Sequence, residues 1–100
     1  MKVYGYCRIS TSKQSMERQI RNIKLAYPDA VIVKETYTGT KIQGRKEFEK
    51  LLKIVSTGDT LVFDSVSRMS RTAQEGYEMY QKLYNQGVSL VFLNEPHINT

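Results

Sequence analysis

The chain has 100 residues, a length that suits one compact domain with a single modest core. Hydrophobic residues make up 40% and charged residues 25%, too apolar for a disordered chain, yet no apolar run approaches the roughly 18 to 20 residues that cross a bilayer and none suits a signal peptide, so the chain is expected in the cytoplasm. Lysine and arginine outnumber acids 15 to 10, a balance that favours a polyanionic partner, and one cysteine with one histidine supports neither an internal disulfide nor a zinc framework.

Residues 2–9 contain Val3, Tyr4, Tyr6 and Ile9 with few breakers, which predicts a strand buried on both faces in a largely parallel sheet. Ser10, Thr11 and Ser12 offer capping oxygens, and Met16, Ile20, Ile23 and Tyr27 then recur on one helical face until Pro28 ends the helix. Ala30, Val31, Ile32 and Val33 predict a second strand, and residues 36–44, with Gly39, Gly44 and three threonines, predict a loop. Phe48, Leu51, Leu52 and Val55 mark a second helix, which Ser56, Thr57 and Gly58 stop before a strand at Leu61, Val62 and Phe63.

A polar stretch over 64–72 precedes Ala73, Tyr77, Tyr80, Leu83 and Tyr84 at helical spacing. The tyrosine stripe reads as a face packed on the sheet rather than a platform for stacking bases. Gly87 suits a left-handed helix terminus before a fourth strand over 88–93, and residues 94–100 carry no predicted helix or strand.

Four strands alternating with three helices imply crossovers, a parallel sheet and a ligand site beyond the carboxyl ends of the strands. Ser10 after the first strand, the 38–45 loop after the second, and Arg68 with Arg71 after the third then converge on one rim. Tyr6, Arg8 and Ser10 alternate, so their side chains leave one face of the strand. Arg68 and Arg71, three apart, face one way if helical, and with Arg8 and Arg45 they supply enough forked donors to surround one phosphate.

A serine nucleophile needs its proton removed and the charge on its target stabilised. His97 lies past the fourth strand and no Gly-x-Ser-x-Gly elbow is present, which argues against an acyl hydrolase. Phosphoryl transfer spreads charge over phosphate oxygens, a demand that arginines meet. Asp64, the nearest acid, is expected to end the third strand and cap the turn that follows. Cys7 alternates away from Tyr6 and Arg8 and is expected to be buried and inert.

The segment Tyr4-Gly5-Tyr6-Cys7-Arg8-Ile9-Ser10-Thr11-Ser12 resembles the Tyr-Gly-Tyr-x-Arg-x-Ser-Thr motif that opens the catalytic domain of serine site-specific recombinases of the resolvase/invertase kind. A second block, Gly58-Asp59-Thr60-Leu61-Val62-Phe63 followed by Ser67-Arg68-Met69-Ser70-Arg71, resembles that family's strand and Asp-Arg-x-x-Arg segment at a similar distance. Gln14 and Gln19 fall where the family places glutamines, Thr38-Gly39 resembles its polar-glycine turn, and Arg45 matches its loop arginine. The resemblance spans the chain.

It implies a resolvase-like three-layer α/β fold, with a mostly parallel sheet of four or five strands and helices on both faces. It implies an enzyme of DNA recombination, integration or inversion, of the kind carried by transposons and other mobile elements. Such an enzyme attacks double-stranded DNA through a serine, here Ser10, leaves a 5′-phosphoserine link and a free 3′ hydroxyl, and rejoins strands by reversing the step without a metal or a small-molecule cofactor. On this resemblance Arg8, Arg68 and Arg71 stabilise the phosphate and the transition state, Arg45 is a further phosphate contact, and Tyr6, Gln14, Gln19 and Thr38 support the site or bind DNA phosphate.

Ser67 departs from the pattern, because many relatives carry an aspartate there, and proton transfer to the leaving 3′ oxygen is therefore unassigned. The family works as a dimer and tetramer through a long helix and a DNA-binding region beyond its catalytic domain, so residues 1–100 alone are expected to recombine poorly. Two other readings fit the basic charge and fold class. A non-catalytic DNA-binding or regulatory α/β module leaves the arginine motifs unexplained. A phosphate-ester hydrolase or small-ligand protein of flavodoxin-like architecture would lack a cysteine nucleophile, phosphate-loop glycines or metal carboxylates.

Overall fold

A computed structural model describes residues 2–9, 13–36, 46–70 and 72–99. The elements are β1 (Val3–Ile9), α1 (Lys13–Ala26), β2 (Val31–Thr36), α2 (Lys46–Ile54), β3 (Thr60–Phe63), α3 (Val66–Met69), α4 (Ala73–Asn85), β4 (Ser89–Phe92) and a 3-10 helix at Pro96–Ile98. The strands form one sheet in the order β2-β1-β3-β4, with every neighbouring pair parallel. Alternation of strand and helix implies this arrangement, because a parallel neighbour is reached only through a crossover.

As an inner strand, β1 is covered on both faces. Cys7 faces α1, where it packs with Met16, Ile23, Ala30 and Val62. Tyr4 and Tyr6 face the opposite side, in one cluster with Phe48 and Leu51 of α2, Met69 of α3, Leu83 of α4, Phe63 of β3 and Phe92 of β4. The result is three layers, with α1 alone on one side. Full burial of a side chain such as Phe63 contributes about 1.5–3 kcal/mol. Gly5 lets α1 approach closely, since a Cβ there would stand 2.7 Å from Ile23 Cγ2.

Local signals set the ends of α4. Thr72 accepts a hydrogen bond from the Glu75 amide at 3.1 Å, an N-cap of the kind worth about 1 kcal/mol. Gly87, at φ +81°, ends the helix in the left-handed region expected of it.

Four readings of the sequence need correction. The second strand continues through Lys34, Glu35 and Thr36, because it pairs with β1 from Tyr4 opposite Val31 to Ile9 opposite Thr36. The polar stretch over 64–72 contains α3, and the tail over 94–100 contains the 3-10 helix. Each is a single turn, too short for periodicity to register, and the 3-10 helix is fixed by Pro96 at its start and by Tyr80, whose hydroxyl donates to the Ile98 carbonyl at 2.7 Å. The tyrosine stripe divides: Tyr80 stacks on Phe92 at 6.3 Å, whereas Tyr77 and Tyr84 are 65% and 60% exposed. The inward face runs through Gly76, Met79, Tyr80 and Leu83. No helix among the described residues is long and apolar enough to cross a membrane.

Candidate active site

The strand order reverses between β1 and β3, since the chain steps from β1 out to β2 and then back past β1 to β3. In open parallel sheets the crevice outside the carboxyl ends at such a point is where ligands bind. The two strands finish at different heights there. β1 stays paired with β2 as far as Ile9 but with β3 only as far as Tyr6 opposite Phe63, after which β3 gives way to α3.

Main-chain groups left beyond the ladder need other partners. Gln19 of α1 supplies them for Arg8. The Arg8 amide donates to Gln19 Oε1 at 3.0 Å, and Gln19 Nε2 donates back to the Arg8 carbonyl at 3.2 Å. One buried carboxamide thus replaces a strand at the end of β1.

Of the four candidate arginines, the two among the described residues, Arg8 and Arg68, hold each other's segments. Arg8 Nη2 donates to the Ser67 carbonyl at 2.7 Å, and Arg68 Nη1 donates to the Arg8 carbonyl at 3.3 Å. Arg8 is buried, and Arg68 is half-buried with its Nε wholly enclosed and without a hydrogen-bond partner among the described residues. Leaving such a donor unsatisfied costs about 1–3 kcal/mol.

Tyr6 lies on the same side of β1 as Arg8, as alternation predicts, but it is fully buried and donates its hydroxyl to Glu35 Oε1 at 2.9 Å. Glu35 also accepts from the Glu47 amide at 3.2 Å and the Phe48 amide at 2.9 Å, joining β1, β2 and the start of α2. The sequence reading passed over this residue. Its available signal was an acid two positions after Val33, on a strand face that turns inward.

Ser10, Thr38, Arg45 and Arg71 lie outside the described residues, as do the capping reading of Ser10, Thr11 and Ser12 and the side chain of Gln14. The helical spacing invoked for Arg68 and Arg71 does not apply, because α3 ends at Met69 and Ser70 is extended at φ −153° and ψ 165°.

Asp64 is buried, but it caps no turn. Its carboxylate accepts from Asn22 Nδ2 of α1 at 3.2 Å, on the sheet face opposite α3. Ser67, at the position where an acid was expected, is exposed, with its hydroxyl 2.7 Å from that of Ser65. Burial pushes the Cys7 thiol up to about 12, the nearby Asp64 charge adds to this, and Arg68 and Lys34 oppose it. The thiol is therefore protonated and inert. Among the described residues no three His, Cys, Asp or Glu side chains are grouped to hold a metal ion. An apolar groove of about 630 Å³ is lined by residues of α3, α4 and the 3-10 helix.

The family profile described as "Resolvase, N terminal domain" matches residues 3–100. The chain is similar to the Transposon Tn501 resolvase of Pseudomonas aeruginosa, at 33% identity over 93 residues that cover 91% of this chain and 46% of that protein. It is also similar to a resolvase of Clostridium perfringens, at 28% identity over 97 residues that cover 96% of this chain and 51% of that protein. The chain thus spans about half the length of these curated relatives. Among solved structures it is similar to a resolvase family site-specific recombinase from Streptococcus pneumoniae, with a TM-score of 0.73 at 29% identity, covering 100% of this chain and 76% of that one.

Proposed function

This chain belongs to the family of resolvase N-terminal domains, and we propose on that premise that it is the catalytic domain of a serine recombinase acting at specific sites in double-stranded DNA. Ser10 Oγ attacks the phosphorus of a phosphodiester. The new oxygen–phosphorus bond forms as the bond to the 3′ oxygen breaks, the serine gives up its proton, and the departing oxygen gains one. The phosphoserine ester retains the energy of the bond it replaced, so a 3′ hydroxyl from a new strand can attack it and expel Ser10.

Negative charge that builds on the phosphate oxygens is met by Arg8 and Arg68, with Arg71 and Arg45 joining them from neighbouring segments. Tyr6 and Gln19 hold the end of β1, and Gln14 and Thr38 belong to the same site. Dimer and tetramer assembly on DNA in the cytoplasm is part of this proposal, as is poor recombination by residues 1–100 alone. The observation that carries the reading is the reciprocal hold of Arg8 and Arg68 at the switch point, with the buried Arg68 Nε lacking a partner among the described residues.

The test is to incubate the full-length protein with supercoiled DNA bearing its crossover site and to quench in denaturant. A covalent protein–DNA adduct that maps to Ser10 and vanishes in Ser10→Ala is expected. An undiminished adduct from Ser10→Ala would overturn the assignment of the nucleophile. Specific DNA binding with no adduct from the unaltered protein would favour a non-catalytic DNA-binding module.

A further inference from the structure

We propose that Glu95 is a positioning residue for Arg68, and the inference rests on the reading above of Arg68 as a contact to the reacting phosphate. From the turn after β4, the Glu95 carboxylate fixes the one-turn helix on which Arg68 stands.

With four residues, α3 cannot sustain itself, because a first helical turn costs more backbone entropy than its single hydrogen bond returns. Nor does it carry its own cap. Ser65, in the N-cap position at φ −151° and ψ 165°, makes no capping bond, and its hydroxyl meets that of Ser67 instead. The cap comes from 29 positions away, where Glu95 Oε1 accepts the Val66 amide at 3.0 Å. A carboxylate at a helix amino end is a charge-assisted acceptor, stronger than a neutral one.

Glu95 is itself held firmly. Its amide donates to the Phe92 carbonyl at 3.1 Å, its carbonyl accepts the Ile98 amide at 3.1 Å, and the Ile98 carbonyl is bound by Tyr80. Asn94, beside it, donates its amide to the Asp64 carbonyl at 3.0 Å. The carboxylate is thus referenced to the ends of β3 and β4 and to α4.

Packing anchors the carboxyl end of α3, where Met69 is buried in the core, but Val66 at its amino end is only partly buried and lines the groove. The apolar groove lies between α3 and the 3-10 helix, with Val66, Ser67 and Met69 on one wall and His97 and Ile98 on the other. On its remaining side α3 is tied to β1 through the Ser67 carbonyl and the Arg68 guanidinium. Its carboxyl end is held by the buried Met69 and by Arg8, and its amino end by Glu95. Without Glu95 it would pivot on the Arg8 contact, and Arg68 would leave the geometry that the reaction requires. Such a displacement slows the chemical step more than it weakens binding.

The experiment uses the full-length protein and a nicked duplex of its crossover site that traps the covalent adduct, with single-turnover rate and DNA affinity read separately. Glu95→Ala should slow adduct formation about tenfold, the rate equivalent of a lost cap. DNA affinity should stay within about twofold, the split expected when ground-state binding is spared. Glu95→Gln keeps the acceptor oxygen and should restore most of the rate.

Val66→Pro probes the same bond from its donor. It deletes the N–H at the first helical position, where proline is well tolerated, and it follows an extended Ser65 that suits a pre-proline residue. It should slow the reaction as Glu95→Ala does, and the double variant should be no slower than either single one. Unaltered rates in both single variants, additive losses, or a Glu95→Gln protein as slow as Glu95→Ala would overturn the inference while leaving the active-site reading intact. An unaltered protein that forms no adduct would overturn that reading and the inference with it.

Discussion

At the amino end of β3, Asp59 accepts from the Ser56 amide three residues away at 3.0 Å, and from the Lys2 amide at 3.0 Å. At the carboxyl end of β1, Arg8 is held by Gln19, 11 positions away, and reaches the Ser67 carbonyl, 59 positions away. The first set closes a turn in which Gly58 takes φ +96°. The second draws β1, α1 and α3 together and still leaves Arg68 Nε with no partner among the described residues. The polar groups of Asp59 at the amino end are satisfied by the fold itself, whereas at the carboxyl end Arg68 Nε is not. On the proposed function, the contrast separates Asp59, which serves stability, from Arg68, which serves a ligand.

The largest effect should come from the carboxyl end. Arg68→Ala should lower the rate of adduct formation by roughly 10²–10³-fold, the range for removing one donor to developing charge. Thermal unfolding should show little change, and a large fall in stability instead would erase the distinction between the two ends. Glu35 sharpens it, because this acid lies at the same end but is already satisfied by three donors. Glu35→Leu should cost about 2–3 kcal/mol in urea unfolding, by stranding the Tyr6 hydroxyl and two amides.

The smallest effect belongs to the amino end and depends on pH. The Lys2 amide first, then the Ser56 amide, holds the Asp59 carboxyl below its ordinary value. A depressed carboxyl contributes stability above the unfolded-state pKa and loses it as pH falls through the folded-state value. Asp59→Asn should therefore flatten the acid limb of the stability profile and leave adduct formation at neutral pH unchanged. Stability measured from pH 7 downward checks this.

Sequence legibility follows the same division. β1, α1 and the carboxyl end of α4 were legible because their signals are local: apolar spacing, and a glycine after a helix. By contrast α3 and the 3-10 helix are fixed by Glu95 and Tyr80 from distant elements, and no window of sequence contains both partners. Asp64 was misread because turn chemistry is local while its partner, Asn22, is 42 positions away. Glu35 went unread because an acid in a strand ordinarily faces water. The motif placed Arg8 and Arg68 together, as the geometry does, but the backbone hold between them lies in no motif.

The claim that Arg8 and Arg68 serve phosphate charge is tested most directly with a crossover-site duplex whose scissile phosphate is replaced by a neutral methylphosphonate. Adduct formation by the full-length Arg68→Ala protein is compared with that of the unaltered protein on both substrates. With the charge gone, the two proteins should react at similar rates despite their large difference on the natural phosphate. An Arg68→Ala defect that is equally large on both substrates would contradict the assignment and make Arg68 a structural residue.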